Sequence, residues 1–325
     1  MSGSLLPPPA APCTEFHGFP KGETTCTVTS FSPAGISIPE KMSLHPSGGD
    51  HSNKHPIIVS LIHHEASNSY VLFDLGLSKD WKKYAPQERL ESIEETFEPK
   101  VEEDVDQVLK KLGVQVDQIK FIVISHSHWD HTAFPFDRFP KAQVVAGPTT
   151  ISHTISLSHE NYSPSSHSKP LELSWSHSPT HVLTFRHSHD LFSDGSVLVV
   201  PTPGHTPGHV ALVARTSIEP GHEEYLVLAG DCAHHPFCLS NKPQESHYRF
   251  AAWREVGEPT TGMANHSMHE DYAEAEKSLE RLKALEKRDE FMIVLAHDFK
   301  RWNAWKKDEN GCVELNGWRK KGLKH

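Results

Sequence analysis

The stretch Phe121-Ile122-Val123-Ile124-Ser125-His126-Ser127-His128-Trp129-Asp130-His131 decides how the rest of the chain is read. Four apolar residues, bounded by polar ones, read as a short buried strand. The strand runs straight into four residues with metal-ligating side chains within six positions, His126, His128, Asp130 and His131. Along an extended segment alternate side chains project to one side, so His126, His128 and Asp130 are expected to converge while His131 points elsewhere. That geometry suits two neighbouring ions better than one. Burying several imidazoles and a carboxylate without a cation would leave costly unpaired polar groups.

The same pattern recurs along the chain. Val197–Val200 leads into Pro201-Thr202-Pro203-Gly204-His205-Thr206-Pro207-Gly208-His209, a turn able to hold His205 rigidly. Tyr225–Ala229 is followed by Gly230 and Asp231, and Phe291–Ala296 by His297 and Asp298. Each apolar run therefore delivers a ligand type to one edge of a sheet. Further strand-like runs are Thr25–Phe31, Ile57–Ile62, Tyr70–Phe73, Gln143–Ala146 and Val210–Val213. Helical spacing marks Lys100–Leu112 and Glu270–Arg288. The order predicts a mixed α/β chain: an irregular Pro-rich arm over residues 1–22, then one domain over 23–325. Ser152 to Arg186, rich in Ser and His, is expected to be an insertion or lid. In the basic tail Lys300–His325, Trp302 and Trp305 are placed to pack back on the body.

Composition narrows the function classes. The 325 residues carry 32 Lys+Arg against 42 Asp+Glu, a net charge of −10, which disfavours nucleic acid as a partner. No apolar run is long enough for a membrane span, and the N-terminus lacks the basic region of a signal peptide. Cys13, Cys26, Cys232, Cys238 and Cys312 form no CxxC pair, so reduced thiols and a cytoplasmic location are expected. Histidine is abundant, at 26 residues, and most of it in polar stretches is expected to be incidental. A small-molecule substrate is anticipated, and monomer or homodimer are equally compatible with the sequence.

HSHWDH, PGHTPGH, AGD and AHD, in this order, resemble the metallo-β-lactamase superfamily. The resemblance implies an αββα sandwich of two mixed β-sheets flanked by helices, with a dinuclear site along one edge. Carried over by motif, it implies that His126, His128 and His205 hold one ion. Asp130, His131 and His297 would hold the other, and Asp231 would bridge both. Asp74, in Leu72-Phe73-Asp74-Leu75-Gly76, matches the aspartate that orients a ligand from behind. Two divalent ions, zinc by default, are the implied cofactors. The second histidine of PGHTPGH, His209, is expected to make a structural hydrogen bond, and Cys232 to be a packed residue.

Within the superfamily the chain looks most like the N-acyl homoserine lactonase branch and its fungal-type relatives, through Asp130, the PGHTPGH turn, AGD and Leu72–Trp81. The implied reaction is attack of a metal-bridging hydroxide on the carbonyl of a small lactone, with Asp130 shuttling the proton. Trp129 fills the branch's aromatic position and is a candidate pocket wall. The branch's substrate-contacting tyrosine is replaced by His234, followed by His235. His234 is the candidate hydrogen-bond donor to a carbonyl or leaving oxygen. Thr132-Ala133-Phe134-Pro135-Phe136 lacks the usual glycine and is expected to form an aromatic rim. Lactone opening, as in quorum quenching, is the first reading. The alternatives are a lactam or cyclic carbamate hydrolase in detoxification, and a metal-dependent thioesterase.

Overall fold

A computed structural model describes residues 14–47, 49, 51–157, 169–175, 180–251 and 267–324. The first sheet contains β1 (Cys26–Pro39), β2 (Ser52–His64), β3 (Ser69–Phe73), β4 (Lys100–Val101) and β5 (Ile119–Ile124). β6 (Gln143–Ala146), β7 (Leu171–Glu172) and β13 (Val313–Glu314) complete it. Its order is β13-β1-β2-β3-β5-β6-β7, with β4 paired to β1. The second sheet comprises β8 (His189–Asp190), β9 (Val197–Pro201), β10 (Val210–Ser217), β11 (Glu224–Leu228) and β12 (Phe291–Val294). Its order is β12-β11-β10-β9-β8. Each sheet mixes antiparallel neighbours with a parallel part, β3-β5-β6-β7 in one and β11-β12 in the other.

Side chains on a strand alternate between faces, and here both faces are covered, which is why the runs are apolar throughout. Val197 and Val199 of β9 enter the core between the sheets, with Val210, Leu212, Leu226, Met292 and, from the facing sheet, Val28, Ile58 and Val123. Leu198 and Val200 face the other way, towards Ala275, Leu279, Leu282 and Leu285 of the helix Tyr272–Glu286. Ile122 and Ile124 of β5 likewise face Val105, Val108 and Leu109 of the helix Val105–Lys111. Helices on the outer faces of two stacked sheets make the αββα sandwich expected from the motifs.

Several expectations need correction. The helix expected over Lys100–Leu112 starts only at Val105, because Asp104 caps it in a reciprocal box with Gln107. Lys100 and Val101 instead pair with Gly35 and Ala34 of β1. A helix over Leu90–Phe97, which its charged sequence concealed, buries Ile93 and Phe97. Phe134 and Phe136 form no rim. Both are fully buried in the core beneath the helix Val105–Lys111, where their rings displace more water than any edge position would allow.

The described ends of the chain are tied down. Trp305 and Trp318 are buried in the core between the sheets, Trp302 packs beside them, and β13 pairs with β1. The described part of the N-terminal arm is irregular and lies against the second sheet. Buried Arg215 donates to the carbonyls of Pro20 and Thr24. Of the Ser/His-rich stretch, residues 158–168 and 176–179 lie outside the described residues. The described parts extend the edge of the first sheet through β7 and put Leu173 in the core.

Candidate metal centre

The site forms where the parallel strands end. β3 stops at Asp74, β5 at Ser125, β11 shortly before Asp231, and β12 shortly before His297. His205 comes from the turn joining β9 to β10. The two sheets are stitched together at this edge: Val210 N–H donates to Ser125 O, and Ile58 N–H to Ala296 O. The extended path assumed for the motif holds only as far as His128. Trp129–Thr132 then coils into a single helical turn, closed by Thr132 Oγ1 donating to His128 O. Asp130 and His131 consequently fall together, and the expectation that His131 turns away while Asp130 joins His126 and His128 is corrected.

Two clusters result. In the first, His205 Nε2 lies 2.8 Å from His128 Nδ1 and 3.1 Å from His126 Nε2. Asp231 Oδ2 is 3.5 Å from His205 Nε2 and 3.8 Å from His126 Nε2. In the second, Asp231 Oδ1 lies 3.3 Å from His131 Nε2 and 3.4 Å from His297 Nε2. Asp130 Oδ2 is 3.2 Å from His297 Nε2 and 3.7 Å from His131 Nε2. Asp231 thus turns one oxygen to each cluster.

The surroundings of the rings show what the clusters are built to hold. Asp74, fully buried, accepts from Ser125 N–H and Ser125 Oγ, both at 2.7 Å, and from His131 Nδ1 at 2.8 Å. Since the Ser125 hydroxyl donates to Asp74, its oxygen accepts from His126 Nδ1 at 3.0 Å. His297 Nδ1 donates to Pro56 O at 2.9 Å, an atom that only accepts. In their neutral form all three imidazoles therefore keep the proton on Nδ1 and turn the Nε2 lone pair inward. His131 Nε2, His297 Nε2 and Asp231 Oδ1 are buried with no hydrogen-bond partner among the described residues. Converging nitrogen lone pairs and carboxylate oxygens, buried and without donors, fit divalent cations of the zinc type.

The electrostatics differ between the clusters. Burial, reinforced by neighbouring imidazoles, holds His126 and His205 well below the usual histidine range. Burial brings His128 down to about 4. At His131 burial opposes protonation, but the carboxylates of Asp231, Asp130 and Asp74 outweigh it and hold the ring well above its ordinary value. His297 is raised to about 10, against burial, mainly by the carboxylates of Asp231 and Asp130 beside its Nε2. Burial works against an ionised Asp231, yet His131, His297 and His234 keep it well below the carboxylate range. The first cluster is neutral imidazole facing neutral imidazole. In the second, protons compensate the carboxylates where a cation would otherwise do so.

The remaining residues fall around this centre. His209 points to neither cluster: its Nε2 accepts from Asp231 N–H at 3.1 Å, and its Nδ1 donates to Thr202 Oγ1 at 2.8 Å. It fixes the backbone of Asp231, as anticipated. Cys232 is buried beside it. His234 Nε2 lies 3.1 Å from Asp231 Oδ2, on the first cluster. His235 does not join it; its Nδ1 accepts from Phe237 N–H and caps the helix Pro236–Leu239. Trp129 stands beside the two clusters and packs on Trp81 and Phe97, with ring centroids 5.4 and 6.0 Å away. One residue escaped the sequence reading. His269, only 3% exposed, brings a nitrogen within 4.8 Å of nitrogens of both His205 and His234. Its one sequence cue was its place just ahead of the Asp271 helix cap, a weak signal for a residue standing alone.

This sandwich thus gathers clustered His and Asp side chains at the ends of its strands. Residues 59–216 match the model of the metallo-beta-lactamase superfamily. It is 27% identical over 275 residues to gamma-lactamase FDB1 of Fusarium pseudograminearum (strain CS3096), covering 73% of this chain and 65% of FDB1. It is 25% identical over 206 residues to N-acyl homoserine lactonase AttM of Rhizobium radiobacter, covering 62% of this chain and 66% of AttM. The chain thus spans a little under two thirds of each of these relatives. Among solved structures, B. thuringiensis AiiA with N-decanoyl-L-homoserine bound at the active site superposes with a TM-score of 0.60. That match has 18% identity and covers 87% of this chain and 98% of AiiA. No helix among the described residues is long and apolar enough to cross a membrane.

Proposed function

We propose that this protein is a dinuclear metal-dependent hydrolase that opens a small lactone ring of the N-acyl homoserine lactone type. The observation that carries the reading is Asp231, whose two carboxylate oxygens face two separate, inward-directed sets of ligand atoms. In the proposal His126, His128 and His205 hold one ion, Asp130, His131 and His297 the other, and Asp231 spans both. Two divalent ions there supply Lewis acidity towards a carbonyl oxygen and a lowered pKa for water. The chain's own residues do the rest. Ser125, Asp74 and the Pro56 carbonyl hold the rings in the ligating tautomer. Asp130, with its carboxylate at the second cluster, takes a proton from the attacking water and returns it to the leaving oxygen. His234 donates a hydrogen bond to the carbonyl or leaving oxygen from beside the first cluster. Trp129 walls the acyl side.

A second reading, opening of a γ-lactam, is favoured by the longer and slightly stronger similarity to FDB1 than to AttM. The two readings need the same metal centre and differ in the leaving atom. Lactone opening would serve quorum quenching, and lactam opening detoxification. The test is proton release in weak buffer from zinc-loaded protein given a long-chain acyl homoserine lactone or a γ-lactam, with His128→Ala as control. Release from the lactone, lost in the variant, supports the first reading, and release from the lactam alone supports the second. No release from either, with two ions bound, refutes ring opening.

A further inference from the structure

The residues of the proposed mechanism leave one buried histidine at the centre without a task. His269 touches three rings: Phe250 at 4.1 Å, His205 at 5.2 Å and His234 at 5.4 Å between centroids. Among the described residues its Nδ1 has no hydrogen-bond partner. Leaving a buried polar atom unpaired costs about 1–3 kcal/mol, so such an atom beside a reaction centre points to a partner that arrives with the substrate.

The backbone that carries His269 is fixed to the metal-binding turn. Glu270 N–H donates to His205 O at 3.1 Å and Asp271 N–H to Gly204 O at 2.9 Å. Ser278 Oγ, further along the helix, donates to Pro203 O at 2.7 Å. Any movement of the His205 turn therefore carries His269 with it. Its neighbour Met268 packs the other way, into the apolar cluster that contains Trp129, Trp81 and Phe97. Two consecutive residues thus contribute one side chain to an imidazole wall and one to an aromatic wall. This arrangement suits a molecule that is polar next to its reacting carbonyl and apolar beyond it.

We infer that His269 is a substrate-positioning residue. Its ring exchanges a hydrogen bond with an amide borne by the substrate next to the scissile ring, while Met268 and Trp129 take the attached acyl chain. The inference rests on the ring-opening reading and adds to it the residue that holds the amide of the acylated ring.

The experiment compares zinc-loaded wild type, His269→Ala and His269→Asn on N-hexanoyl homoserine lactone and on γ-butyrolactone, which lacks the amide. Metal content and melting temperature are recorded alongside. Calorimetric affinity for ring-opened N-hexanoyl homoserine gives a readout independent of turnover. His269→Ala should lower kcat/KM on the acylated ring about tenfold or more, mostly through KM, and weaken the calorimetric affinity to match. The loss on γ-butyrolactone should be at least tenfold smaller, and His269→Asn should recover part of the difference. Equal losses on the two rings, or loss of bound zinc, would make His269 a prop for His205 and overturn the inference. Unchanged kinetics and affinity in His269→Ala would overturn it as well. If the wild type binds the ring-opened product but opens neither ring, the hydrolase reading fails, and the His269→Ala affinity alone decides the inference. A wild type that does not bind the product refutes both.

Discussion

Asp74→Asn is the substitution that most directly tests the logic of the centre, because it changes hydrogen-bond polarity without changing shape. Asp74 is fully buried at φ +62°, a conformation asparagine tolerates well, so backbone strain is not introduced. The carboxylate accepts three hydrogen bonds, from Ser125 N–H, Ser125 Oγ and His131 Nδ1. In the amide, Oδ1 keeps the backbone N–H, and Nδ2 then faces the other two partners as a donor. His131 must surrender its Nδ1 proton, which moves to Nε2 and points at Asp231 Oδ1, 3.3 Å away. Ser125 Oγ must turn to accept from the amide as well as from His126 Nδ1, and its own proton loses its carboxylate acceptor. One lost charge-assisted hydrogen bond costs about 1.5–3 kcal/mol. In the metal-free chain the Nε2 proton, kept on His131 by the neighbouring carboxylates, still faces Asp231 and limits the loss. In the loaded protein nothing offsets it, since the ligand lone pair is gone. Affinity for the second ion should therefore fall about 10–100-fold, while metal-free stability falls by about 1–2 kcal/mol. Chelator-competition titration with zinc gives the affinity, and thermal melts with and without zinc give the stabilities. If the second ion binds within threefold of wild type, the tautomer argument is wrong.

Three further outcomes are expected. Asp231→Ala should lose both ions and His297→Ala only the second, by elemental analysis after dialysis; two ions retained in Asp231→Ala would refute the bridging assignment. Gly204→Ala places a Cβ 2.1 Å from Ala275 N at φ +126°, so it should cost about 3 kcal/mol or more and shift the urea midpoint accordingly, a shift below about 1 kcal/mol refuting the packing. Asp194 accepts from Ser196 and from His64 Nε2, and although burial opposes this, those bonds hold its carboxyl at about 2, below the ordinary 3.8. A depressed carboxyl stabilises fully above its unfolded pKa and loses that contribution as pH falls through its folded one. With its carboxylate partly in water the effect is about 1 kcal/mol. The gap between wild type and Asp194→Asn in urea melts should be constant from pH 6 to 4.5 and close between pH 4 and 2, and a gap that widens on acidification would refute it.

What the sequence disclosed, and what it withheld, follows from how local each determinant is. A strand covered on both faces is written as an uninterrupted apolar run, and Gln143–Ala146 was legible to the residue. Where one face meets polar partners or the chain end, the run understates the strand, as in β1, which continues eight residues past Phe31 to Pro39. The candidate site residues were legible because they follow such runs. Their grouping was legible from the order of the motifs, whereas the extended-segment reading alone put Asp130 with His126 and His128, which the helical turn at Trp129–Thr132 corrects. Phe134 and Phe136 show the same limit: adjacency to a motif says nothing about which side of the sheet a ring enters.

His269 marks the far end of this scale. Nothing within its own neighbourhood singles it out from the other histidines of the chain, and its position at the centre depends on contacts with His205, 64 residues away. The glycine that makes those contacts possible is legible only in retrospect. Gly204 lets the start of the helix Tyr272–Glu286 approach the turn more closely than any Cβ would permit. The PGH turn therefore has two jobs, one local and one long-range. It presents His205 to the metal centre, and it seats the helix whose N-terminal approach carries His269. A ligand motif can be read from its own residues. The wall facing it comes from whichever segment the fold seats there.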